Sequence, residues 1–116
     1  MDVPSNAARL RIYVGENDTY GRATLAQALV LRARDLGLAG ATALHGMLGY
    51  GQPAHAREAE LLLARDKPIV IEVVDTRDKI DLYLAAVEPM IGSGLITIED
   101  IRVLRYGAAT GQAGLC

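Results

Sequence analysis

Hydrophobic and polar residues alternate strictly near the start of the chain. In "ARLRIYVG", Leu10, Ile12 and Val14 alternate with Arg9, Arg11 and Tyr13, a period of two that predicts a strand with one buried face. "ENDTYGR" interrupts it as a polar connection. The period then changes. In "ATLAQALVLRARDLGLAG", Leu25, Ala28, Leu29, Arg32 and Leu36 recur at helical spacing among strong helix formers, and Gly37 or Gly40 supplies the stop. "ATALHGML" predicts a second strand interrupted by Gly46. "KPIVIEVVD" predicts a third, opened by Pro68, where a missing N–H does little harm.

"DTRDKIDLYLAAVEPMIGSG" returns to helical spacing, with Ile80, Leu84, Val87 and Ile91 as its apolar stripe. Asp75 or Thr76 can cap it, and Pro89 kinks or tightens its last turn. "LITIEDIRVLRY" closes the set as a fourth strand, with Ile101 and Val103 on one face. Residues 52–67 fit a short helix or a strand, and are read as a mobile loop followed by strand. The order β-α-β-β-α-β predicts an α+β, ferredoxin-like sandwich: a four-stranded antiparallel sheet, strand order 4-1-3-2, with two helices on one face. The expected organisation is a tail over 1–8, one domain over 9–106 and a flexible tail over 107–116.

That strand order makes a second prediction. Arg11, Glu72 and Arg102 each point away from their strand's apolar set and become lateral neighbours on the face without helices. Val70, Val74 and Leu104 share that face. Charges alone would suit water. The added apolar residues favour burial against another subunit, so these three charged residues are candidate interface residues.

Composition narrows the function. The chain is 51% hydrophobic with no Trp and no Phe, so its core is aliphatic. A net charge of -2 gives no reason to expect nucleic acid. The apolar runs are too short to span a bilayer, the start lacks the pattern of a secretion signal, and Cys116 has no partner for an internal disulfide. A cytoplasmic protein is expected.

The densest candidate for chemistry is "GMLGYGQPAHA", where Gly46, Gly49 and Gly51 precede a proline and a histidine. It ends a strand without opening a helix, so it fails as a dinucleotide fingerprint. It reads either as a strand end with a bulge at Gly46 or as the base of a hinge beside a cleft. Gly92, Ser93 and Gly94 read as a helix C-cap, or as a nest of amides for an anion. His45 suits a structural hydrogen bond, whereas His55 lies where a ligand contact is easier. Two histidines without cysteines or a tight acidic cluster make no metal site. Glu16, Asp18, Tyr20 and Arg22 form either a polar helix entry or a ligand-contacting loop. No activated nucleophile is visible, so no catalytic residue is assigned.

"RIYVGENDTYGR", "GLAGATALHGMLGYG", "PIVIEVVDTRDKID" and "MIGSGLITIEDIRVL", taken in this order, resemble the domain of unknown function 190 family of PII-like signalling proteins. The resemblance runs from about Arg9 to Tyr106. It implies a homotrimer with ligand clefts between neighbours and a non-enzymatic, regulatory role. It places Gly49, Tyr50 and Gly51 at the base of a flexible signalling loop of about 50–67. It matches Gly92, Ser93 and Gly94 to a turn that wraps the phosphates of adenine nucleotide, and Arg105 to a phosphate-facing arginine. Leu95 stands where PII proteins carry lysine, which removes a charge-assisted contact typically worth about 1.5–3 kcal/mol. A transporter or channel is the partner implied by analogy. The alternatives are a small ferredoxin-like enzyme using Tyr20, His45 or His55, and a metal-binding trimer.

Overall fold

The computed structural model describes residues 5–46 and 67–105. Its first strand, β1 (Ala7–Gly15), begins two residues ahead of the anticipated domain start. A small hairpin of β2 (Thr19–Tyr20) and β3 (Ala23–Thr24) follows, in place of the plain polar connection. Gly21 turns it at φ +62°, a conformation that favours glycine. Then come α1 (Leu25–Asp35), β4 (Thr42–His45), β5 (Pro68–Thr76), α2 (Arg77–Val87), a 3-10 turn (Glu88–Met90) and β6 (Leu95–Asp100).

The sheet is β4-β5-β1-β6, antiparallel throughout. Renumbered over the four long strands, this is the 4-1-3-2 order that the periodicity predicts. Leu10, Ile12, Ile71 and Val73 are fully buried from one face of the sheet, and Leu29, Ile80, Tyr83 and Val87 meet them from the two helices. The fold is a ferredoxin-like α+β sandwich, a four-stranded antiparallel sheet with two helices.

Local chemistry sets the helix ends. Thr24 and Gln27 form a reciprocal capping box on α1, with the Gln27 amide donating to Thr24 Oγ1 at 3.1 Å. At its other end the Leu38 amide donates to the Ala33 carbonyl and the Gly37 amide to that of Arg34, with Gly37 at φ +77°, a Schellman closure. Thr76 takes the N-cap position of α2 without a side-chain bond. Asp75 is instead buried, and its carboxylate accepts the Ala39 and Thr76 amides at 2.9 and 2.7 Å.

Three expectations are corrected. The fourth strand stops at Asp100, and Ile96 and Ile98, opposite Ile12 and Leu10, take the helix side. Ile101 and Val103 lie beyond it, so they do not set its parity. The segment of Gly92, Ser93 and Gly94 is not the cap of α2, which ends at Val87 before the proline-bearing 3-10 turn. Tyr83, outside the anticipated stripe, is the largest fully buried side chain, and Leu84 is only half-buried. The segment 52–67, apart from Lys67, lies outside the described residues.

Candidate functional site

The antiparallel pairing gathers the end of β1, the end of β4, the start of β5 and the start of β6 at one end of the sheet. Two glycines there are required by close approach. The Gly46 amide donates to the Pro68 carbonyl at 2.8 Å, and a Cβ on Gly46 would sit 2.7 Å from Pro68 Cγ. Its N–H is thus committed to closing the ladder, and what it offers a ligand is space. Gly94, at φ +154°, lies against β1 so closely that a Cβ would be 2.8 Å from the Tyr13 carbonyl oxygen. Gly92 and Ser93 are exposed beside it. Gly46 and Gly94 sit at opposite edges, about 14 Å apart across three strand spacings. One subunit does not bring them into one cleft.

Gly49, Tyr50, Gly51 and His55 lie outside the described residues. Arg105 is exposed beyond the far end of β6, so a single chain does not pair it with Gly94 through that strand. Arg102 is likewise past the strand. Arg11 faces Glu72 on one side as predicted, but on the other it faces Thr97 rather than Arg102. The alternation "ITIEDIRV" changes phase between Ile98 and Ile101, and register against β1 selects the first set.

The open face of the sheet is arranged in cross-strand rows. Leu95, Tyr13, Val70 and Leu44 face one another across all four strands. The next row is Thr97, Arg11, Glu72 and Thr42, and the third contains Glu99, Arg9 and Val74. Arg11 Nε donates to Glu72 Oε2 at 2.9 Å, and Arg9 is paired with Glu99. The hydrogen bond to Glu72 holds Arg11 above its ordinary value, and the one from Arg9 holds Glu99 below its own. Leu44 and Leu95 remain 49% and 57% exposed. The face therefore joins an apolar row to charges already matched in sign.

A further cluster joins residues that the sequence spacing does not link. Glu16, just past β1, accepts a hydrogen bond from His45 Nε2 at 2.9 Å and from the Lys67 amide at 3.3 Å. The His45 bond, then the Lys67 amide, hold its carboxyl below the usual range. Asp18 closes the adjoining turn, accepting the Gly15 amide at 2.9 Å. These residues are far apart in sequence, and no local spacing marks them. Among the described residues no three His, Cys, Asp or Glu side chains gather as a metal set. No described helix is long and apolar enough to cross a membrane.

The DUF190 family, described as "Uncharacterized ACR", matches residues 7–103. The chain belongs to this family. A DUF190 relationship also accords with its likeness to a UPF0166 protein of Aquifex aeolicus, 33% identical over 96 residues, 82% of this chain and 90% of that one. A UPF0166 protein of Methanocaldococcus jannaschii is 30% identical over 97 residues, 83% and 90% of the two chains. Among solved structures, CPII of Thiomonas intermedia, bound to ADP, AMP and acetate, superposes with a TM-score of 0.60 at 19% identity, over 85% of this chain and 89% of that one. A PII-like signalling protein of Thermus thermophilus gives 0.56 at 19% identity, over 89% and 93%. At such identities the likeness establishes the PII-like fold.

Proposed function

We propose that this DUF190 protein is a regulatory sensor: a cytoplasmic homotrimer that binds a small anionic ligand, adenine nucleotide foremost, between subunits. It signals through residues 50–67 to a partner protein, with a membrane transporter or channel as the target suggested by PII analogy. The observation that carries the reading is the exposed turn of Gly92, Ser93 and Gly94, laid so closely on the Tyr13 backbone that no side chain fits at Gly94. Such a turn offers backbone amides to an anion without side-chain obstruction. The ADP-bound state of the CPII neighbour supports the choice of ligand. The trimer is supported by the row of Leu95, Tyr13, Val70 and Leu44, of which Tyr13 and Val70 are half-buried and Leu44 and Leu95 exposed. A cleft reached by both Gly46 and Gly94 then needs two copies, because one chain holds these two glycines at opposite edges.

Leu95 supplies no cation at the phosphate turn, so backbone amides would carry most of the binding. Calorimetry with ADP and ATP on the wild type and on Leu95→Lys tests this. The expected result is modest wild-type affinity, tightened roughly ten- to hundred-fold by the lysine. Tight wild-type binding that Leu95→Lys leaves unchanged removes phosphate from this turn. Light scattering at micromolar concentration tests the trimer, and a monomer mass rejects it.

A further inference from the structure

Glu16 is held as a bound anion would be. One of its oxygens takes the His45 ring N–H and the other the Lys67 main-chain N–H, at 2.9 and 3.3 Å. Its own amide donates to the Lys67 carbonyl at 2.9 Å, which fixes the chain beside those donors. The lowered carboxyl pKa has His45 as its largest cause, then the Lys67 amide, with smaller attractions from both side chains. This is a donor set built for negative charge. It is also open to solvent: the His45 side chain is 61% exposed and Lys67 is exposed, while the Glu16 side chain is 28% exposed.

We propose that the His45 imidazole and the Lys67 amide form a binding site for a small oxyanion, with the Glu16 carboxylate as its built-in competitor. A tethered carboxylate acts at an effective concentration of about millimolar. A monoanion with the same two oxygens gains nothing over it. A phosphate group does, because its second charge strengthens the interaction with His45 and the Lys67 ammonium. Phosphate is therefore the preferred chemical class. Its arrival replaces a tie joining the ends of β1, β4 and β5 by a ligand held on β4 and β5 alone. The site thereby couples ligand occupancy to the two chain ends that flank residues 47–66. The inference rests on the reading that this end of the sheet takes an anion, but not on nucleotide binding at Gly92, Ser93 and Gly94.

The test titrates inorganic phosphate into the full chain and follows the His45 ring and the Lys67 amide by NMR, in the wild type and in Glu16→Gln. Gln keeps the size and an acceptor oxygen while removing the competing charge. Phosphate should shift both resonances, and Glu16→Gln should lower the half-saturating concentration by about tenfold or more. An unchanged or weaker affinity in Glu16→Gln overturns the proposal, as does phosphate that leaves both resonances unmoved in that variant. If Glu16→Gln does not fold, His45→Gln decides instead: phosphate must then lose most of its effect on the Lys67 amide, and a retained effect overturns the site. ADP titrated into the same samples separates the two readings. ADP binding that persists while phosphate ignores Glu16 rejects this inference alone, and ADP that fails to bind rejects the nucleotide reading alone.

Discussion

On the helix side of the sheet, Leu10, Ile12, Ile71 and Val73 have no exposed surface. One residue along each strand, on the opposite face, Arg9, Arg11, Tyr13, Val70, Glu72 and Val74 are only half-buried, and Leu44 and Leu95 are exposed. Both faces belong to the same strands, with the same backbone pairing. The difference is the cover. The helix side is completed by residues of its own chain, with aliphatic groups and Tyr83 filling the gap. The open side has apolar groups in one row and opposite charges matched within the next, a pattern that a second protein surface could cover without stranding a charge. In the proposed trimer, one phase of the alternation serves folding and the other serves assembly.

The largest effect separates these faces directly. Leu10→Ala should cost about 2–5 kcal/mol, as expected for a large-to-small change in a filled core. It is read as a lower denaturation midpoint at fixed protein concentration. Leu44→Arg, on the exposed end of the apolar row away from the glycine turn, should leave the folded spectrum intact and change the mass seen by light scattering from trimer to monomer. A trimer that survives Leu44→Arg would break the assignment of this face to assembly.

Asp75 sharpens the comparison at the boundary of the core. Its buried carboxylate ties the segment after α1 to the end of β5 through the Ala39 and Thr76 amides. Asp75→Ala leaves both donors without that acceptor and should cost about 2 kcal/mol. An unchanged midpoint would mean that water replaces the carboxylate at no cost. Tyr83→Phe is a smaller test of the same core. The hydroxyl donates to the Leu29 carbonyl at 2.7 Å, and burial pushes its pKa up. Removing it should cost about 1 kcal/mol, and a gain in stability would show that the bond does not offset the desolvation of the hydroxyl.

What the sequence made legible follows the range of each interaction. β1 and β5 alternate over nine residues each, enough to fix their faces without knowing their partners. The phase of β6 is ambiguous in the sequence because "LITIEDIRVL" contains two alternating apolar sets, Ile96 with Ile98 and Ile101 with Val103, and only pairing with β1 decides between them. Tyr83 is not legible from spacing alone because it and Leu84, three and four residues after Ile80, both lie on its side of α2, and only the packed core shows that the tyrosine is the one fully buried. The glycine positions were legible, but their separation across the sheet was not, since it follows from which strands form the edges. The Glu16–His45 contact joins positions with no shared period. Charge and residue type alone left both with bland alternatives.

The smallest effect concerns that contact and has a definite sign. Glu16 has its pKa lowered below the reference value of 4.5 in the folded chain, first by the His45 hydrogen bond and next by the Lys67 amide. A carboxyl depressed on folding binds fewer protons in the folded state than in the unfolded one. Its contribution is therefore present above the unfolded pKa and disappears as pH falls through the folded one. Wild type should thus be more stable than Glu16→Gln near neutrality, and the gap should close below about pH 4.5. Unfolding curves of both proteins across that range, at one ionic strength, provide the measurement. The group is solvent-exposed enough for salt to screen part of the effect, so low salt gives the clearest reading. A gap that widened as pH fell below 4.5 would mean that Glu16 is favoured in its protonated form, contrary to a carboxylate held by two N–H donors. The same reversal would remove the electrostatic basis for an oxyanion at His45 and Lys67, because donors that do not stabilise their own carboxylate have no reason to stabilise a phosphate.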